Sequence, residues 1–375
     1  MGDRRKKVFP FLILISLIFL LPLRAELKYT TMDWKDGAKA GVCITFDWED
    51  DYPHSIYVPG RTADLKGDLP EKTDRILSIL DGHDTRATFF VVGIVAEEFR
   101  ESFEQIRAEG HEIASHGDYH RGYNQTGVED PQEIPNFGDQ DFDEQIIRME
   151  EAERLMKSSP TGFRAPGLNF NDDTLLALES LGYLYDSSLQ TTHRIKPFHP
   201  VVNNEQLALL EIPVTSGEDA SSWDLYGRKY DGPDPNKQWK KDFEEVYNSG
   251  GVYVPLLHPA FIGKDSRLLA TLEEFLEHVQ SYNIWMTTMN DLATWHMNKE
   301  QLHVAVKNPR GTISILEIEN NGGKIDGLTV EVDGKVRAFG RNILVSHVDD
   351  GENGFTKITF MALEGGKTRV VLVRV

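Results

Sequence analysis

Between residues 37 and 296, short runs rich in β-branched and aromatic residues alternate with stretches whose apolar positions recur every three or four residues. The runs at 42–47, 86–92, 112–116, 162–165, 183–186, 209–214, 252–258 and 283–287 are predicted strands, and their alternation with amphipathic segments is the signature of strand-helix units in a parallel sheet. The intervening helices have legible ends. Pro70 opens a segment in which Ile76, Leu77 and Leu80 share a face and Asp81-Gly82 follows as a stop. Phe99, Phe103 and Ile106 recur at helical spacing before Gly110, and Ile146, Met149 and Leu155 lie on or near one side of 141–157. Asn171 or Asp172 caps 174–181, which Gly182 ends. Eight strands alternating with helices predict an α/β fold, a distorted parallel (β/α) barrel over residues 37–298.

After Trp295 the period changes to two. Strands are expected at 313–318, 328–332, 357–361 and 369–375, with Asp333-Gly334 as a hairpin turn and glycine-rich turns at 320–323 and 365–366. This predicts a small β-sandwich-like, all-β domain at 301–375. It carries no cluster of ligating residue types, so packing is its expected role ahead of glycan attachment. At the other end Arg4, Arg5, Lys6 and Lys7 precede an apolar run from Val8 to Leu23, and Leu23-Arg24-Ala25 closes it. That pattern predicts a signal peptide over 1–25, or an uncleaved anchor, and therefore an exported protein, secreted or held on the outer side of the cytoplasmic membrane.

The chain has 375 residues, 40 basic and 60 acidic, with a net charge of −20 and pI near 5.0. Residues 1–25 hold five of the basic and one of the acidic residues, so without them the charge is −24. No basic stripe is present, which argues against nucleic acid as a partner. Cys43 is the single cysteine, so no internal disulfide forms; within an apolar strand it is expected to be packed, not nucleophilic.

Long connections at 51–69, 121–139, 190–200 and 215–240 interrupt the alternation, and in a barrel such loops surround the active site. Trp223, Tyr226, Tyr230 and Trp239 are candidates for a sugar-stacking wall there, or for packing of the loop on the barrel. The chemistry gathers elsewhere. His116 and His120, four apart, can face one ion on a helix or tight turn, and the acid cluster Asp47, Glu49, Asp50 and Asp51 can supply the carboxylate of a three-ligand hydrolytic site. An H-x-x-x-H pair alone is weak, and acid clusters are usually solvated. Position strengthens both: Asp47, His116, Arg164, Asp186 and His258 each fall at the C-terminal end of a predicted strand. Asp118, between the histidines, is expected to face solvent, and His54, His83, His111, His193 and His199 are expected to be structural.

Thr45-Phe46-Asp47, Ala87-Thr88-Phe89-Phe90, the run from Ser115 to His120, Gly162-Phe163-Arg164-Ala165-Pro166-Gly167, the run from Gly182 to Ser188 and Leu257-His258-Pro259 resemble, in order, the motifs of the polysaccharide deacetylase (NodB-homology, carbohydrate esterase family four-like) family. The resemblance covers residues 41–295. It implies metal-assisted removal of acetyl groups from a glycan, with His116 and His120 binding a divalent ion, zinc before cobalt or another transition metal, Asp47 as general base, Arg164 orienting it and His258 as general acid. The usual first motif has two adjacent aspartates, whereas Trp48 follows Asp47 here; Glu49 is therefore the expected third ligand, with Asp50 as substitute. Asp186 is expected either to join the base-side network or to bond only local backbone.

The chemistry fits those roles. An acetamide is a poor electrophile with a poor leaving group, so its hydrolysis needs an activated water, charge stabilisation on the carbonyl oxygen and a proton for the departing nitrogen. The expected activity is N-deacetylation of an extracellular or cell-envelope polysaccharide. The competing expectations are O-deacetylation, hydrolysis of a small cyclic amide on the same barrel, and a non-catalytic glycan-binding protein, the last favoured by Trp48. Membrane association would come through the N-terminal segment.

Overall fold

The computed structural model describes residues 25–49, 68–120, 135–191, 195–218, 235–263, 266–349 and 354–375. The expected export segment, apart from Ala25, lies outside these residues, as do Asp50, Asp51, His54, His193, Trp223, Tyr226 and Tyr230.

One parallel sheet organises the barrel. Its strands are β1 (Thr45–Trp48), β2 (Thr88–Val91), β3 (Glu112–Ser115), β4 (Gly162–Phe163), β5 (Tyr185–Asp186), β6 (Leu210–Glu211), β7 (Ser216–Glu218) and β8 (Pro255–Leu257), in the spatial order β6-β5-β4-β3-β2-β1-β8-β7. The sheet curls strongly into a half-barrel. Helices α1 (Leu69–Gly82), α2 (Gly93–Glu98), α3 (Arg100–Ala108), α4 (Phe142–Met156), α5 (Asp172–Leu181), α6 (Pro235–Ser249), α7 (Pro259–Ile262), α8 (Ser266–Gln280) and α9 (Met289–Glu300) accompany it. Phe46 and Phe89 meet Ile76, Leu80, Phe103, Leu272 and Phe275 in one buried cluster, so the apolar helix faces read from the sequence are the ones that cover the sheet. The helix ends also follow local chemistry. Asp141 and Asn171 form capping boxes with Glu144 and Thr174, and Gly182 takes the left-handed conformation at φ 82°.

All eight expected runs contain strand, but two of them divide. Ala40–Val42 pairs with Val252–Tyr253 and with Ile284–Met286 in a separate three-stranded parallel sheet, while the continuations of the first two runs, β1 and β8, pair in the main one. Cys43 bridges the switch, donating its N–H to the Tyr253 carbonyl at 2.9 Å, and is fully buried. Burial pushes its thiol well above the ordinary range, as befits packing. The break comes from barrel curvature, which changes partners where composition does not. β7 arises inside the expected long connection at 215–240, because Ser216-Gly217-Glu218 lacks the apolar content that marks a strand in sequence. Trp239 is no sugar platform: it is buried against Phe275, ring centroids 5.8 Å apart.

Two four-stranded antiparallel sheets are built from the chain after the barrel, except for one strand, Tyr29–Thr31, that comes before it. One runs Tyr29–Thr31, Leu328–Asp333, Phe355–Phe360, Ile343–Val348, and the other runs Leu302–Lys307, Ile313–Asn320, Gly366–Arg374, Val336–Phe339. Leu316, Ile318, Leu328, Val330, Ile358, Phe360, Val370 and Leu372 fill the space between them, joined by Leu27 and by Trp295 from α9. The Asp333-Gly334 turn does not close a hairpin. Leu328–Asp333 and Val336–Phe339 belong to different sheets, so this turn, with Gly334 at φ 77°, carries the chain from one to the other. A turn motif reports a reversal and says nothing about which edge the next strand will join.

Candidate metal centre

The five predicted strand-end residues converge on one end of the sheet. Asp47 is the third residue of β1, Asp186 ends β5, and His116, Arg164 and His258 directly follow β3, β4 and β8. Successive strand residues face opposite ways. Asp47 and Glu49 therefore share a face while Trp48 turns outward, where it is fully buried and its Nε1–H donates to Thr73 Oγ1 of α1 at 2.9 Å. The apparent departure at Trp48 is thus a packing residue flanked by two inward carboxylates.

His116 and His120 lie on the turn leaving β3, not on a helix. Their ring nitrogens and a Glu49 carboxylate oxygen all fall within 4.8 Å of one another. His120 Nε2 is 3.1 Å and His116 Nε2 3.6 Å from Glu49 Oε2. His116 Nδ1 donates to the Arg164 carbonyl at 2.8 Å, which turns Nε2 toward Glu49. Glu49 Oε2 is buried with no hydrogen-bond donor of its own. An orphaned, buried carboxylate oxygen beside two imidazole nitrogens fits a divalent cation. Burial raises the Glu49 carboxyl, but His120, His116 and His258 outweigh it and hold the group at about 2, so the carboxylate is ionised.

Asp47 sits at the rim of this triad. Its Oδ2 is 3.7 Å from His116 Nε2, while Oδ1 accepts from Arg164 Nη1 at 2.6 Å. Arg164 is completely buried. It also donates to Thr45 Oγ1 at 3.1 Å, the Ser187 carbonyl at 3.2 Å and Ser187 Oγ at 3.1 Å, and its Cζ lies 4.0 Å above the Phe90 ring centroid. His258 approaches from the other side, with Nε2 3.5 Å from Glu49 Oε1 and its ring edge-on to Phe261.

Asp186 stands one layer out. It accepts from the Ser188 hydroxyl at 2.7 Å and the Ser188 N–H at 3.2 Å, and the same hydroxyl accepts from the Ala165 N–H at 2.8 Å. Across the ladder Asp186 faces Glu211. Burial and the Asp186 carboxylate push Glu211 well above the usual carboxyl range, and burial raises Asp186 as well. Glu211 was not singled out from sequence, although a glutamate within the apolar run Leu209-Leu210-Glu211-Ile212 was a visible anomaly, and Thr45, Ser187 and Ser188 were named only as parts of motifs, without a role. Asp118 corrects another expectation: it is buried and paired with Arg148 Nε at 2.7 Å instead of facing solvent. His111 is structural, accepting at Nδ1 from the Ala87 N–H at 3.1 Å; burial, followed by Arg86, lowers its pKa to about 4.

Residues 35–185 match the polysaccharide deacetylase family. A peptidoglycan deacetylase-like protein of Gibberella zeae is 38% identical over 117 residues, 31% of this chain and 32% of that protein. The chain thus spans about a third of that relative. A peptidoglycan deacetylase of Helicobacter pylori is 24% identical over 250 residues, 58% of this chain and 81% of its own length. Among solved structures, a protein from Mycobacterium smegmatis assigned to the polysaccharide deacetylases superposes with a TM-score of 0.56 at 26% identity, covering 70% of this chain and 92% of its own. The ordered motifs, the curled parallel sheet that gathers them at one end and the match over residues 35–185 identify a polysaccharide deacetylase domain within this chain.

Proposed function

We propose that this protein is an exported, zinc-dependent hydrolase that removes N-acetyl groups from a cell-envelope glycan of the peptidoglycan or chitin-like class. The observation that carries the reading is the convergence of Glu49, His116 and His120 next to an Asp47 fixed by Arg164. Two imidazoles and a carboxylate are a zinc donor set with an open position, and the ion they hold would supply Lewis acidity toward the acetyl carbonyl and lower the pKa of water.

The chain's own groups perform the rest. Arg164 engages one oxygen of Asp47 and leaves Oδ2 turned toward His116 to accept a proton from the attacking water. His258, across Glu49 from that base, delivers a proton to the nitrogen as the C–N bond breaks, so that acetate and a free amine leave. Ser187 and Ser188, the latter backed by Asp186, keep Arg164 and its backbone in place.

The test incubates the zinc-loaded protein with N-acetylated peptidoglycan fragments, chitin oligomers and O-acetylated glycans, and measures acetate together with new amine. Equal release of acetate and amine supports the reading. Acetate only from esters reassigns the chemistry to O-deacetylation, and none from any substrate despite stoichiometric zinc defeats it.

A further inference from the structure

We propose that Arg148 of α4 is a positioning residue that sets the metal affinity of the centre, by locking the turn that carries both histidines; the inference rests on the metal reading above. His116 is fixed by the sheet, since its N–H donates to the Val91 carbonyl at 2.8 Å. His120 is not. It lies four residues beyond, past the last ladder pair of β3.

What holds that turn comes from two helices. The Gly93 and Ile94 N–H groups at the start of α2 donate to the Gly117 and Asp118 carbonyls at 2.9 and 3.0 Å. Arg148 takes the remainder: Nε donates to Asp118 Oδ1 at 2.7 Å, Nη2 to the Tyr119 carbonyl at 2.8 Å, and Nη1 to the Pro135 carbonyl at 2.8 Å and Gln140 Oε1 at 2.9 Å. Its Cζ lies 4.2 Å over the Phe137 ring, and Phe137 occupies the space beside Gly117, whose φ of 77° and absent Cβ let the turn pass. A guanidinium presents its donors in a rigid plane, so one side chain reaches Asp118, Tyr119 and Pro135 together; a lysine ammonium cannot span them. With Tyr119 so held, His120 is oriented before an ion arrives, and its ordering entropy is not subtracted from binding.

The experiment compares wild type with Arg148→Met, Arg148→Lys, Asp118→Asn and, as a control on the same helix, Arg154→Gln, whose guanidinium pairs with Glu151 at the surface. Zinc affinity is read by competition with a chromophoric chelator, ligand geometry by the visible spectrum at saturating cobalt, and integrity by thermal unfolding of each metal-free protein. Arg148→Met should weaken zinc binding about 10- to 100-fold, as outer-shell changes do. Arg148→Lys should recover part of this, Asp118→Asn should show a smaller loss, the cobalt spectrum should change in the Arg148 variants, and Arg154→Gln should match wild type. Wild-type affinity and spectrum in folded Arg148→Met overturn the proposal; should that variant fail to fold, the same result in Arg148→Lys and Asp118→Asn does so. Wild type without stoichiometric zinc defeats the metal reading as well, whereas wild type with zinc and unmoved variants defeats this inference alone.

Discussion

Trp48→Phe and Glu49→Gln together test the strand geometry on which the ligand assignment depends. Trp48 is buried against α1 on the outward face, and the ring of Phe46 shares that core. Replacing the indole by phenyl loses the 2.9 Å bond to Thr73 Oγ1, costing about 1 kcal/mol, and leaves a void of roughly 30–40 Å³, costing about 1 kcal/mol more. Thr73 keeps its own donation to the Leu69 carbonyl at 2.8 Å, so no further group is orphaned. The expected result is a protein about 2 kcal/mol less stable by urea titration that binds one zinc with unchanged affinity. Glu49→Gln keeps the volume and removes the charge that faces His116, His120 and His258. Because even outer-shell changes cost 10–100-fold, loss of a ligand should weaken zinc by more than about 100-fold. Chelator competition on both folded variants decides the matter. If Trp48→Phe loses zinc as Glu49→Gln does, or if Glu49→Gln retains it, the alternation argument is wrong and the third ligand lies elsewhere.

Three further outcomes are expected. His258→Asn should retain zinc while its turnover with an N-acetylated oligosaccharide falls about 10²- to 10⁴-fold, the range of a lost general acid, and unchanged turnover would remove His258 from the mechanism. Arg164→Met strips a fully buried Asp47–Arg164 pair of its cation and should destabilise the fold by about 3–5 kcal/mol in urea, with a loss below 1 kcal/mol refuting the buried network. In the metal-free protein Glu49 has a folded pKa of about 2 against an ordinary 4.5, so the unfolded chain binds the proton more readily and the contribution of Glu49, about 3 kcal/mol, is present above pH 4.5 and lost as pH falls toward 2. The stability gap between wild type and Glu49→Gln, followed by urea titration across that window, should therefore shrink with acid; a constant gap would contradict it.

The neighbourhood of Arg148 shows why part of the centre was hidden in one dimension. Asp118 was read as solvent-facing because a short polar residue between two histidines on a turn has no local reason to be buried. Its partner is on a helix 30 residues later, and only packing of α4 against the end of β3 creates the demand for an anion there. Glu211 is the converse case. Its place in an apolar strand was open to notice and was passed over, and nothing local shows that Asp186 is its neighbour, since register across a parallel ladder is set by the turns and helices between the strands.

By itself the sequence determined the α/β alternation, the helix caps and the strand-end placement of Asp47, His116, Arg164, Asp186 and His258, because periodicity, capping and backbone preference act over a few residues. The expectation of Glu49 as third ligand came from the resemblance of its motif to those of a family, and the structure adds that alternation along the strand turns Glu49 to the same face as Asp47. Tertiary structure alone decided that the first and seventh apolar runs change sheets midway, that Asp333-Gly334 links two sheets instead of closing one hairpin, that Trp239 packs as core, and that Arg148 and Glu211 stand behind the centre. Those outcomes depend on curvature and on contacts between segments far apart in the chain, where the free energy of closing the barrel, and not any local preference, selects the partner.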